Sequence, residues 1–348
     1  LKPALIGPGR SACPLRRSRG ARAMQPGGGN LWDNKIVLDV AFHPQQCQPR
    51  TGGCWVDSQI AARDGVSLAY RLYTAPAPPP DEGGARRPCV LVYFHANAEI
   101  CTDLEPEISR FFGCGFRAVL CPEFRGYAWS AGKPKLTTLC PDAEDFARAL
   151  PEILSGGGLD LRDPSVVVHG RSLGAICAIH LAAQETMAGV IGGLVVESGV
   201  ISLLDLPLVK MMAQVMPQLL TALRASPNPL STHEELRRVA VPTLIIHGDH
   251  DEMSPIEQAK FAHKICGSSA KKLLRYGRCG HNDIRALAGK EYFAELETVC
   301  KIASDVLPPE ALLEARPSGS GFFGMLQGAL RCFAGARQAP RSEDGAGT

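Results

Sequence analysis

The sequence predicts an α/β protein: a mostly parallel central sheet flanked by helices, with a small helical cap. Three observations lead there. From Cys89 onward, short β-branched runs alternate with amphipathic segments, the rhythm of parallel strands joined by helical crossovers. The stretch Val166-Val167-Val168-His169-Gly170-Arg171-Ser172-Leu173-Gly174 passes from a buried-strand pattern into Gly-x-Ser-x-Gly and then into an apolar helix former. Between Glu197 and Thr243, about 45 residues occupy an interval where the rhythm expects one helix.

Taken in order, residues 1–54 read as a mostly disordered or irregular extension, because residues 1–30 are rich in Arg, Gly and Pro and cannot build a core. Six basic and no acidic side chains fall in residues 1–32, a composition shared with organelle-targeting leaders; without such targeting the expected location is the cytoplasm. The folded domain is placed at 55–307. Trp55–Ala61 and Val66–Tyr73 alternate around the turn Asp64-Gly65 and predict an antiparallel pair at a sheet edge. The proline-rich run 75–88 is a surface loop. Strands follow at Cys89–Phe94, Arg117–Cys121, Ser165–His169, Gly193–Glu197, Thr243–His247 and Lys271–Tyr276. Helices are predicted over Glu105–Phe112, Pro141–Leu154, Leu173–Gln184, Pro255–Ile265 and Leu287–Ala303. The cap is the insertion 200–238, apolar and helical in character from Ile201 to Arg224. Residues 308–348 are a flexible tail with an apolar island at 322–333. Phe322, Phe323, Leu326, Leu330 and Phe333 fall largely on one helical face, for docking on the body or for peripheral contact with a membrane or partner.

Composition narrows the function. The chain's 348 residues hold no apolar run near the ~18 needed to span a bilayer as a helix. The formal charge is +2, so the chain beyond residue 32 carries −4, with no basic face to attract nucleic acid. Thirteen cysteines lack any C-x-x-C or zinc-type spacing, which points to reduced thiols acting as small hydrophobes in a reducing compartment.

The candidate chemistry is that of a nucleophile elbow. A strand, a sharp turn and a helix in that order lift the Ser172 hydroxyl above the carboxyl edge of a sheet. Gly170 and Gly174 leave room for the turn. An acid and a histidine follow at later strand ends: Asp251 in His247-Gly248-Asp249-His250-Asp251, and His281 in Gly280-His281-Asn282-Asp283. His281 would shuttle the Ser172 proton and Asp251 would hold the imidazole tautomer. Asp249 competes for the acid role. Asp251 is preferred because Ser254-Pro255 turns the chain back toward the site. The oxyanion donors would be the backbone amides of Leu173, just after the nucleophile, and Asn97, in the loop after Cys89–Phe94. His247, Asp249, His250 and Asp251 do not complete a metal coordination sphere, and neither metal nor cofactor is expected.

Phe94-His95-Ala96-Asn97-Ala98-Glu99, Glu123-Phe124-Arg125-Gly126-Tyr127, Gly170-Arg171-Ser172-Leu173-Gly174, His247-Gly248-x-x-Asp251 and Gly280-His281-Asn282-Asp283-Ile284 together resemble the α/β-hydrolase superfamily. The resemblance covers roughly residues 55–305. It is nearest to the branch of serine aminopeptidase-like sequences, Bem46-like proteins and ABHD17-type depalmitoylases. It implies the α/β-hydrolase fold and a Ser-His-Asp triad, and says little about substrate. Ala96 and Ala128 stand where the family usually has Gly, and the N-terminal cysteine cluster of the ABHD17-type members is not evident. The leading expectation is a serine hydrolase cleaving an ester or thioester through an acyl-enzyme on Ser172, with a small-molecule or lipidated acyl substrate. The alternatives are an aminopeptidase-like serine peptidase on the same triad and a non-catalytic scaffold. An Asp-nucleophile hydrolase is disfavoured by Ser at position 172.

Overall fold

The computed structural model describes residues 30–76 and 87–305, apart from Asp160, Arg162 and Ser231. The targeting-like leader and the apolar island 322–333 lie outside the described residues.

Eight strands form one sheet: β1 (Trp55–Ala61), β2 (Ser67–Thr74), β3 (Cys89–Phe94), β4 (Phe116–Pro122), β5 (Ser165–Arg171), β6 (Ile191–Glu197), β7 (Thr243–Gly248) and β8 (Lys271–Tyr276). Their order is β1-β2-β4-β3-β5-β6-β7-β8. The β1–β2 and β2–β4 pairs are antiparallel, and every pair from β4 to β8 is parallel. β3, β5, β6 and β7 are buried along their whole length. That is why they read as continuous apolar runs, whereas β1 alternates in burial as an edge strand should.

The α-helices are α1 (Lys35–Ala41), α2 (Ile108–Gly113), α3 (Leu139–Gly156), α4 (Ala175–Ala182), α5 (Pro207–Val215), α6 (Pro217–Ala225), α7 (Thr232–Arg238), α8 (Ile256–Ile265), α9 (Ile284–Ala288) and α10 (Lys290–Ser304). Two apolar cores flank the sheet: Leu120, Val168 and Ile176 belong to one, and Val119, Val195 and Leu296 to the other.

Three elements differ from the sequence reading. The helix expected over 105–112 is split, because Pro106 lies in a 3-10 segment, Cys101–Glu107, and α2 begins only at Ile108. The helix expected over 287–303 starts earlier and breaks at Gly289, whose φ of 50° no regular helix contains. Order also begins before Trp55: Leu31–Asp33 form a 3-10 turn, α1 follows, and Trp32 and Phe42 are buried. Within the cap interval, α5 and α6 form the cap proper, while α7 buries Leu236 beside α4 and α8.

Candidate active site

The elbow is built by steric exclusion. β5 runs straight into Ser172, whose φ of 51° is a left-handed conformation that costs a non-glycine residue about 1–3 kcal/mol. A Cβ on Gly170 would lie 2.4 Å from the Gly174 carbonyl oxygen, and one on Gly174 would lie 2.2 Å from that of Phe94. Only glycine fits at either place, so the turn can close under the serine.

Ser172 Oγ lies 3.0 Å from His281 Nε2, and His281 Nδ1 lies 2.7 Å from Asp251 Oδ2. All three residues are nine-tenths buried or more. Asp251 is held by its own loop: its Oδ1 accepts hydrogen bonds from the amides of Met253 (3.0 Å) and Ser254 (2.7 Å). The rest of the His/Asp cluster is dispersed. His247 is fully buried, with Nε2 at 2.7 Å from the Ser254 carbonyl and 3.3 Å from Asp251 Oδ2, and burial holds its pKa below the ordinary value. His250 is exposed. Asp249 makes a two-pronged ion pair with Arg275 at the surface, both contacts 2.8 Å.

Leu173 and Asn97 line the same cavity as Ser172 and His281. The Asn97 side chain fixes its loop: Oδ1 accepts from the His43 amide (2.8 Å) and the Tyr127 hydroxyl (2.7 Å), and Nδ2 lies 3.0 Å from His43 Nδ1. Ala96 donates its amide to Glu99 Oε2 at 2.9 Å, and Ala98 takes φ 65°. At Ala128, one of the two positions where glycine is usual, φ is 47°. Its amide donates to the Gln45 carbonyl at 2.7 Å, so residues 42–47 hold the strained turn from outside.

Beyond the residues read from the sequence, Arg171 ties the loops together. Its guanidinium donates to the His281 carbonyl (3.1 Å) and to Asn282 Oδ1 (2.9 Å) and pairs with Glu99 and Glu197. One buried cation thus reaches the loops of Asn97 and His281 and the end of β6. Glu197 also accepts from Arg285 (2.9 Å) and Tyr292 (2.7 Å) and lies 3.0 Å from His169 Nε2. Burial alone would raise this carboxyl; Arg285, His169 and Arg171 outweigh it and hold it well below the usual carboxylate range. Arg171 could be noticed inside Gly-Arg-Ser-Leu-Gly, but its partners are scattered along the chain and no spacing announces them.

The hydroxyl opens onto a cavity of about 290 Å³. Its walls are almost wholly apolar: Leu203, Val209, Met212, Met216 and Leu220 from the cap, and Trp32 and Val37 from the N-terminal segment. Glu252 and His281 are the ionisable groups on that lining.

No protein-family model matches the chain. Among curated proteins, bem46 of Schizosaccharomyces pombe is 29% identical over 240 residues, which is 68% of this chain and 73% of that protein. The α/β hydrolase domain-containing proteins aho-3 of Caenorhabditis elegans and 17B of Homo sapiens are each 28% identical over 197 residues, 56% of this chain. The match spans 52% and 60% of their own lengths. Among solved structures, the esterase Pf2001 of Pyrococcus furiosus superposes with a TM-score of 0.53 at 17% identity, covering 73% of this chain and 96% of that one. DcsB in complex with its substrate analogue gives 0.53 at 18%, covering 72% and 99%. The chain therefore has the α/β-hydrolase fold, and its homologues include bem46 and the α/β hydrolase domain-containing proteins.

Proposed function

We propose that this protein is a serine hydrolase that cleaves an acyl ester or thioester through an acyl-enzyme on Ser172. The observation that carries the reading is the unbroken chain Ser172 Oγ, His281, Asp251 opening onto an apolar cavity. In this reading His281 Nε2 takes the Ser172 proton as Oγ attacks the acyl carbon, then returns it to the leaving group. Asp251 keeps the Nδ1 proton in place and stabilises the imidazolium, and the two amide bonds on its other oxygen leave Oδ2 for that task. The developing oxyanion falls to the backbone amides of Leu173 and Asn97. The Asn97 side chain, already engaged by Tyr127 and His43, serves to hold the loop. Water then deacylates Ser172 by the same proton path.

The test is labelling by a fluorophosphonate. Wild type should be labelled and Ser172→Ala should not; equal labelling of both would end the proposal. One residue supports the peptidase alternative: the exposed carboxylate of Glu252 on the cavity lining, which could receive a substrate's free α-amine. Faster turnover of aminoacyl amides than of acyl esters, lost in Glu252→Gln, would put the peptidase first.

A further inference from the structure

Among the described residues, Trp32 is the largest of four side chains shared by the linings of two cavities, the others being Val200, Leu203 and Leu204. Beside the main cavity lies a second of about 90 Å³, reaching Ile176, Leu230 and His233, and Trp32 lines both. Trp32 is 2% exposed, and the main chain on either side of it is held in place. Asn30 Oδ1 accepts from the Trp32 amide at 3.0 Å, and the Asp33 carboxylate accepts from the amide (3.2 Å) and hydroxyl of Thr137. The main chain then continues through α1, whose Val37 and Val40 line the main cavity, to His43, whose amide reaches Asn97. One stretch of 14 residues, 30–43, thus touches the apolar wall at one end and the Asn97 loop at the other.

We propose that Trp32 is a specificity-determining residue: it closes the acyl site, and the second cavity behind it is the room a longer acyl chain would occupy. The inference rests on the acyl-hydrolase reading. Its physical content is simple. An apolar chain gains about fourfold in binding for each methylene it buries, so a site ending in a fixed aromatic wall favours chains that reach the wall and no further. Truncating the indole removes the bulkiest of the four side chains common to both linings and widens the way between the two volumes. The main cavity is lined chiefly by apolar side chains; the second mixes apolar side chains such as Ile176 and Leu230 with Ser202, Asn228, Thr232 and His233, so an alkyl chain is the ligand class that suits the apolar part of the joined space.

The experiment uses alkyl fluorophosphonates of graded chain length against wild type, Trp32→Ala, Trp32→Phe and Ser172→Ala, with folding checked by circular dichroism. Trp32→Ala should move the optimum to chains longer by two to four carbons and raise the ratio of long-probe to short-probe labelling rates about tenfold or more. Trp32→Phe, which keeps a ring but leaves a smaller wall, should move the same ratio part of the way. If Trp32→Ala does not fold, Trp32→Phe decides alone. A wild-type length profile in the folded variants, or a uniform fall at every length, overturns the assignment. Labelling of Ser172→Ala would instead overturn the acyl-enzyme reading beneath it, so the two failures are distinguishable.

Discussion

His281 and His180 are equally buried, each 9% exposed, and each has Nδ1 2.7 Å from a carboxylate oxygen, of Asp251 in one case and Glu235 in the other. They differ at the second nitrogen. His281 Nε2 meets a hydroxyl at the edge of an open cavity; His180 Nε2 meets another carboxylate, Glu144, at 2.9 Å. Burial alone would lower the His180 pKa, but Cys140, Glu235 and Glu144 outweigh it and push it up to about 11. Two anions make His180 a lasting cation that pins α4 to α3 and α7. With a single carboxylate, His281 keeps Nε2 against the Ser172 hydroxyl, where the proposed mechanism passes a proton. The two histidines serve opposite ends of α4: Ser172, which His281 touches, lies just before its start, and His180 sits near its far end. Under the proposed mechanism, the pair teaches that whether a histidine next to a carboxylate serves as base or clamp depends on what the other nitrogen faces.

The largest effect should therefore separate chemistry from clamping. Asp251→Asn is expected to cost roughly 10⁴-fold in kcat, because the amide would favour the wrong tautomer, and His281→Ala should cost at least as much. Asp249→Asn, which loosens only a surface pair with Arg275, should stay within about tenfold. His180→Gln should also stay within about tenfold. Steady-state kinetics on one activated ester decides all four, and a kcat loss in His180→Gln matching that of Asp251→Asn would erase the distinction.

The next effect is on stability. Removing His180 takes the imidazolium away from Glu235 and Glu144 and should cost about 2 kcal/mol, less than the ~3–5 kcal/mol of a fully buried pair because the Glu144 side chain is 34% exposed. The pH dependence has a definite sign. A folded-state pKa above the unfolded value of about 6.5 means that the native state binds the extra proton. The stabilisation is then fully present below about pH 6.5 and is lost as pH rises toward 11. Urea unfolding should show the difference between wild type and His180→Gln shrinking between pH 6.5 and 9, by at most about 1.4 kcal/mol per pH unit. A difference that is flat or grows with pH would mean that His180 is not cationic.

His281 is legible in the sequence because of its place in the chain. His281 follows the last strand, downstream of an elbow and an acid, and that order is readable; the strand runs themselves were readable because a doubly covered parallel strand is apolar throughout. Asp251 could be chosen over Asp249 because the turn after it is encoded locally, by Ser254-Pro255. The clamp was not legible, since Glu144 and Glu235 lie 36 and 55 residues from His180 and no local pattern joins them. The same reason hid Arg171's partners. Trp32 and α1 were hidden differently: a seven-residue helix has almost no intrinsic stability, so its order comes from a cavity wall built largely by residues far along the chain.

The smallest effect is expected where no charge takes part, and it sharpens the comparison by moving from the proton path to the apolar wall. α5 presents two apolar faces. Val209 and Met212, with Met216 just past the helix end, line the cavity, whereas Met211 and Val215 are 57% and 79% exposed. Bulk added on the first face should occupy space that an acyl chain needs; bulk added on the second should meet only solvent. Met212→Trp or Met216→Trp should thus cut kcat/KM for p-nitrophenyl hexanoate and octanoate selectively over acetate. At about 0.8 kcal/mol per buried methylene, excluding two to four carbons amounts to one to two orders of magnitude. Met211→Trp should leave the length profile as it is. An unbranched thioether adapts its shape to what it packs against, so wild type should accept a graded range of chains and the tryptophan variants should end it abruptly. A profile equally flat in all three variants would mean that the acyl group lies elsewhere, and the proton path of His281 would then serve a substrate held outside the cap.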